Sequence, residues 1–300
     1  MITAGARLFM DARHVDVRDR IHLSSGIRQV TADPSSYGGM YYVDNHYKPG
    51  LPWRAADKTE MAALLAQGHD FVPATDLQLF RLPDAIIEKF AELEISAAAD
   101  RQALSRILSG NEAKMAELNR MMEAMIISIL KRDGAYSFRG IYFSPMNLLT
   151  TGYNDLKQLV GLHIDNSTGR NQFVSPPDTI RLCINLGRED RYFLFVNKTI
   201  DQLIAMVEAF EPVDRHLLTD TQLINLLIRY YDGYPVVRIR QRPFEAYLMP
   251  ADNLIHDGST VHSTSTDITM TFSGDFTYFK ENNKKTADAY RGNTYPDRSK

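Results

Sequence analysis

The sequence predicts an α+β fold with a mainly β core, a double-sheet or closed jelly-roll-like architecture braced by N-terminal helices and carrying a two-helix insert. Three observations predict it. Residues 83–132 place apolar side chains three and four apart, which is the helical period. From about residue 135 the pattern changes to short runs of β-branched, aromatic and aliphatic residues bounded by turn signals, which is how strands read. Two more helical stretches, at about 199–232, interrupt those runs before strands resume. Many short strands at this spacing suit a closed or double-sheet β architecture.

A single domain over residues 1–300 is expected: a mostly helical part to 134, a β core over 135–280, and a polar tail at 281–300. Residues 1–80 are mixed. Met40-Tyr41-Tyr42-Val43 reads as a short strand, and His46 to Arg54 as an aromatic-rich loop that packs on the core or covers a pocket. Pro83 with Asp84 starts a helix whose Ile86, Ile87, Phe90 and Leu93 share one face. A second helix near 100–108 ends at Gly110. A third, from about Asn111, carries a stripe of Met115, Leu118, Met122, Met125 and Ile129, which reads as core filler.

Strands are expected at Tyr136–Phe143, Leu159–Ile164, Thr179–Leu186 and Tyr192–Val196. After helices marked by Ile200, Leu203, Ile204, Val207 and by Leu223, Leu226, Leu227, Tyr230, further strands are expected at Val236–Arg240, Glu245–Met249, Asn253–His256 and Ile268–Tyr278.

Composition narrows the function. With 44% hydrophobic and 24% charged residues and a net charge of -3, the chain is ordinary globular material with no basic excess to hold nucleic acid in bulk. Cys183 is the only cysteine and sits in an apolar run, where a buried inert thiol is expected. The N-terminal residues show no basic-then-apolar pattern, and no apolar run approaches the roughly 20 residues that cross a bilayer. A cytoplasmic protein with a small-molecule partner, and with neither nucleic acid nor membrane, is expected. Oligomeric state is open, a homodimer being one outcome.

The chemistry concentrates in Gly161-Leu162-His163-Ile164-Asp165-Asn166. A His and an acid two apart on a strand point to the same face. An imidazole and a carboxylate side by side can hold two adjacent positions of an Fe(II) ion, and a distal His can supply the third. His262, after Asp257-Gly258 and at the mouth of the last strand, is the expected third ligand. His256 is the alternative; with inward and outward alternation it lies beside the site. Two His and one carboxylate on one face of the metal leave the opposite face open, the arrangement of non-haem Fe(II) oxygenases. His14, His22, His46, His69 and His216 have no partner spacing.

Over roughly residues 136–280 the chain resembles the Fe(II)/2-oxoglutarate-dependent oxygenase superfamily. The resemblance lies in His163-Ile164-Asp165, in Ile184-Asn185-Leu186-Gly187 followed by Tyr192-Phe193-Leu194-Phe195, and in Asp252 to His262 before Ile268-Thr269-Met270-Thr271-Phe272. It implies a double-stranded β-helix core, and His163, Asp165 and His262 as iron ligands and catalytic centre. It further implies 2-oxoglutarate as cosubstrate with O2, and hydroxylation, desaturation or cyclisation at a C–H bond of a small molecule such as an amino acid or natural-product intermediate. Halogenases of the family carry a small residue where Asp165 stands, so hydroxylation is the default. The family commonly places an Arg ten to seventeen residues past the distal His, and Asp267 to Phe279 has neither Arg nor Lys. Arg181 and Arg191 are the candidates to grip the far carboxylate of 2-oxoglutarate, ahead of Lys280, and Asn147 is a candidate polar contact. The other reading of Arg181 is a structural ion pair. Two other classes compete: a cupin-like Fe(II) enzyme that binds substrate directly, and a non-enzymatic β-barrel binding module. Arg238 and Arg240 share one strand face, which either meets an acidic ligand or is solvated.

Overall fold

The computed structural model describes residues 1–10, 17–66, 70–166, 169, 171–174 and 179–280. The tail expected at 281–300, His14 and His69 lie outside the described residues. The N-terminal part is less helical than expected. It supplies β1 (Leu8–Met10), the one-turn α1 (Val17–Arg20), β2 (Ile21–Leu23), β3 (Ile27–Val30), β4 (Tyr42–Pro49), β5 (Arg54–Ala55), α2 (Lys58–Leu64) and β6 (Leu77–Arg81). Most of these strands are too short for alternation to declare itself. The strand expected at 40–43 begins at Tyr42 and runs on into the stretch read as a loop.

Helices then form where the periodicity places them: α3 (Asp84–Glu92), α4 (Arg101–Ser109) and α5 (Glu112–Ile129). The Asp100 side chain caps α4 by accepting from the Ala103 amide, and Gly110 closes it. Along α5, Leu118, Met122, Met125, Ile126 and Ile129 are buried. Helix propensities differ by tenths of a kcal/mol per residue, whereas burying each such side chain contributes about 1.5–3 kcal/mol. The stripe therefore holds α5 in place.

The remainder is β7 (Tyr136–Ser144), β8 (Leu159–Gly161), β9 (Ile180–Asn185), β10 (Arg191–Thr199), α6 (Ile200–Glu208), α7 (Asp220–Tyr230), β11 (Val237–Gln241), β12 (Glu245–Met249), β13 (Leu254–Ser259) and β14 (Asp267–Gly274). They build a six-stranded sheet, β1-β6-β12-β9-β14-β7, and a five-stranded sheet, β13-β10-β11-β2-β5; a third, β3-β4-β8, adjoins the second through a bridge between His163 and His256. The chain alternates between the two large sheets: β9 in the first, β10 and β11 in the second, β12 back in the first, β13 in the second, and β14 returning beside β9. The result is a mixed α and β fold, compatible with a β-sandwich or jelly roll.

Alternation along each strand separates three apolar layers from one polar one. Leu182, Ile184, Leu248, Ile268 and Met270 pack outward against α3, α4 and α5. Leu194 and Val196 face α6 and α7. Between the sheets, Phe193, Phe195, Tyr247 and Met249 join the N-terminal strands in a third cluster. The rest of that interior is polar, because the inward residues of β14 are Asp267, Thr269, Thr271 and Ser273. No helix among the described residues is long and apolar enough to cross a membrane.

Candidate metal centre

Gly161 ends β8 at φ +76, and a Cβ there would lie 2.3 Å from the Tyr47 carbonyl oxygen. The kink stops the strand three residues short of Ile164, where it was expected to end, and delivers His163 to a two-way backbone pair with His256. The His163 amide donates to the His256 carbonyl at 3.1 Å, and the His256 amide returns the bond at 2.8 Å. The ring centroids are 4.9 Å apart. Asp165 is fixed by its amide, which donates to the Ala251 carbonyl at 3.3 Å.

Both imidazoles are oriented the same way. The Nδ1 of His163 lies 2.7 Å from the Gly161 carbonyl, and the Nδ1 of His256 lies 3.0 Å from that of Leu254. A carbonyl only accepts, so each Nδ1 carries the proton and each Nε2 is turned to the interior. The two Nε2 atoms converge on one carboxylate, at 3.4 Å from Asp165 Oδ1 and 3.9 Å from Asp165 Oδ2. One ligand atom from each of His163, Asp165 and His256 lies within 4.8 Å of the others. Two imidazole nitrogens with protonated far sides and one carboxylate are the donor set of a divalent transition metal.

The electrostatics match this crowding. Burial works against a charged His163, but the Asp165 hydrogen bond and the charges of Asp257 and Asp165 outweigh it, raising the ring to about 9. Burial holds His256 down at about 4, with His163 pushing the same way against Asp165. Desolvation works against ionised Asp165 too, yet the His163 hydrogen bond, His256 and Arg181 hold its carboxyl far below the ordinary range. Arg181, inward on β9, donates to Asp165 Oδ2. The structural ion pair considered for Arg181 is therefore present, and its partner is one of the candidate ligands.

Of the three residues expected to meet, His163 and Asp165 do, whereas His262 is not brought to them. It sits in the turn after β13, exposed, at φ +69, and its amide donates to Asn147 Oδ1. β13 passes the pair at its start, and Ser259, at its end, is already about 10 Å beyond His256 at ~3.3 Å per residue. Asp257-Gly258 reads as a turn but lies inside the strand. Gly258 is a glycine because a Cβ would sit 2.4 Å from Arg191 Nη2 and 2.5 Å from Thr151 Oγ1. Asn147 is likewise a turn residue: exposed, at φ +57, tying the loop before β8 to the turn after β13. Lys280 is exposed.

Arg191 enters the same interior from β10. Its Nε donates to Asp267 at 3.2 Å and its Nη1 to Gln241 Oε1 at 3.1 Å, leaving Nη2 against Gly258 and Thr151. Cys183, buried as expected, lies 3.8 Å from Nη1. Sequence reasoning missed Asp257. Its Oδ1 accepts the amides of Thr151, Gly152 and Gly258 at 3.0, 2.7 and 2.6 Å. Its Oδ2 is 3.9 Å from His163 Nδ1 and has no hydrogen-bond partner among the described residues. Burial pushes this carboxyl up to about 6, against His163 and the three amides. Acidity one residue after a His was the only available signal. Arg191, Cys183 and Asp257, with Thr269, Thr271, Tyr142 and Tyr153, line a cavity of about 250 Å³.

No known family model matches the chain, and neither does any curated protein sequence. Among solved structures, it is similar to the apo Kdo hydroxylase KdoO, a non-heme Fe(II) alphaketoglutarate dependent dioxygenase, at 12% identity and a TM-score of 0.34, over 67% of this chain and 80% of that one. HygX from Streptomyces hygroscopicus with nickel and 2-oxoglutarate bound matches at 17% identity and a TM-score of 0.27, over 69% of this chain and 85% of that one. Likenesses this slight carry no argument about this chain, whose chemistry rests on the geometry of its own residues.

Proposed function

We propose that this protein is a non-haem Fe(II)/2-oxoglutarate-dependent oxygenase that hydroxylates a C–H bond of a small molecule. The observation that carries the reading is the convergence of His163 Nε2, His256 Nε2 and the Asp165 carboxylate at the wall of a cavity that also holds a buried arginine. The alternation of the chain between two sheets, with His163 and His256 paired where β13 meets the segment after β8, supports reading the core as a double-stranded β-helix. In this reading His256, not His262, is the distal ligand.

When bound, Fe(II) with 2-oxoglutarate and O2 supplies the oxidising power, with succinate and CO2 as co-products. The chain's residues bind, orient and exclude water. Gly161 and Leu254 carbonyls hold the two ligand rings by their Nδ1 protons. Arg181 steadies the Asp165 oxygen that is turned from His163. Arg191 anchors the far carboxylate of the cosubstrate: Arg181 is committed to Asp165, whereas Arg191 turns Nη2 toward Gly258 and Thr151 with Tyr247 beside it. Asp267 and Gln241 hold that guanidinium in place from the other side.

The test is anaerobic. Fe(II) and then 2-oxoglutarate are added to metal-free protein and the visible spectrum is recorded. A charge-transfer band that needs both, is lost in Arg191→Ala and survives in Arg181→Ala, is the expected result. Iron binding without the band moves the protein to Fe(II) enzymes that bind substrate directly. No stoichiometric iron removes the reading.

A further inference from the structure

A second site lies on the opposite face of the second sheet. On β11, Val237 and Ile239 point into the core, so Arg238 and Arg240 point away from it. Arg238 is nevertheless only 8% exposed. Its guanidinium carbon lies 4.4 Å from the ring centre of Trp53 and 4.7 Å from that of Tyr192. Among the described residues its Nε is buried without a hydrogen-bond partner. His22 is its register partner on β2, and the Nδ1 of that ring is also buried and unpartnered. Of the nearby carboxylates, Asp190 lies 3.7 Å from Arg240, and Asp19 acts on His22.

Such an arrangement is incomplete as it stands. Ring faces attract a guanidinium, but they satisfy none of its in-plane N–H donors, and a buried charge without an acceptor is among the costliest features a fold can carry. With two rings packed against the guanidinium, an acceptor approaches in the plane of the fork, from the edge that solvent still reaches. That geometry selects a small oxyanion with two oxygens side by side.

We propose that Arg238, packed against Trp53 and Tyr192 and flanked by His22, binds the phosphate or carboxylate group of a small molecule. The site is separate from the metal centre, which lies on the inward side of the same sheet. The proposal stands whether or not the oxygenase reading does.

Trp53 is the chain's only tryptophan, so its emission reports this site alone. The full chain is titrated with sodium phosphate, and separately with sodium acetate, at constant ionic strength made up with sodium chloride. A saturable change in Trp53 emission with phosphate assigns a phosphate-bearing ligand, and one with acetate alone assigns a carboxylate. Either must weaken at least about tenfold in Arg238→Gln, which removes charge-assisted hydrogen bonds. If circular dichroism shows that this variant does not fold, His22→Gln is the second variant, and weakening is required there. A response no different from sodium chloride, or undiminished affinity in the folded variants, overturns the proposal.

Discussion

At Gly258 the absence of a side chain does chemical work. An alanine Cβ would meet Arg191 Nη2 at 2.4 Å and Thr151 Oγ1 at 2.5 Å, both well inside van der Waals contact. One of them must move, and Arg191 is the one proposed to hold the cosubstrate. Gly258→Ala should therefore weaken 2-oxoglutarate at least about tenfold, or ~1.4 kcal/mol, while Fe(II) affinity changes little; anaerobic titration of the charge-transfer band measures both. The ligand assignment has its own test. Loss of a coordinating His removes one of three protein donors, so His256→Ala should abolish stoichiometric Fe(II) in calorimetry. His262→Ala, altering an exposed turn, should leave the binding isotherm as it is.

Individual elements carry their own energetics, and α2 gives one that pH can read. Asp57 accepts the Thr59 and Glu60 amides, while Glu60 accepts the Asp57 amide in return, closing a capping box. Arg54 of β5 then grips Glu60 through two nitrogens at 2.6 Å each. That bidentate bond is the chief reason the Glu60 carboxyl is lowered from 4.5 to about 2 despite burial. A carboxyl whose folded pKa is depressed contributes stability that is complete above its unfolded value and lost as pH falls through the folded one. Glu60→Gln should thus be less stable than the parent at pH 7, and the gap should close between about pH 4.5 and 2 in parallel denaturant melts. Elements of this kind were also the most legible part of the sequence. Helices α3 to α7 and strands β9 to β12 stand close to where periodicity put them, because each repeats a local pattern several times. β8 was read too long, since a single left-handed glycine ends it. His256 could not be told from His262 for a different reason. Both follow the same apolar run at acceptable spacing, and only the pairing of β13 with the segment after β8, a contact across more than ninety residues, brings His256 rather than His262 beside His163.

At the scale of the whole molecule, the question is what joins the N-terminal pieces to a sheet pair that the later chain could nearly build alone. Short strands β1, β2, β5 and β6 extend both sheets at their edges. One tie between them is ionic. Arg20, fully buried at the end of α1, donates from both Nη atoms to Glu245 of β12 at 3.0 Å each. Glu245 also accepts the Arg242 amide at 2.8 Å. A buried pair is weak evidence for net stability, because desolvation of both ions offsets their attraction. Its removal by halves is another matter: Glu245→Gln takes a buried charge from Arg20 and should cost about 3–5 kcal/mol, while replacing Arg20 and Glu245 together by methionine should cost much less. Urea unfolding of the two variants distinguishes a tie that holds the termini by charge from one that serves by filling space. In the first case the single variant falls far below the double; in the second the two lose stability together. Because β12 also carries Tyr247 and Met249 in the cavity wall, the single variant is expected to loosen that wall as well. The outcome would show as a lower affinity for 2-oxoglutarate in protein that still binds Fe(II) in full.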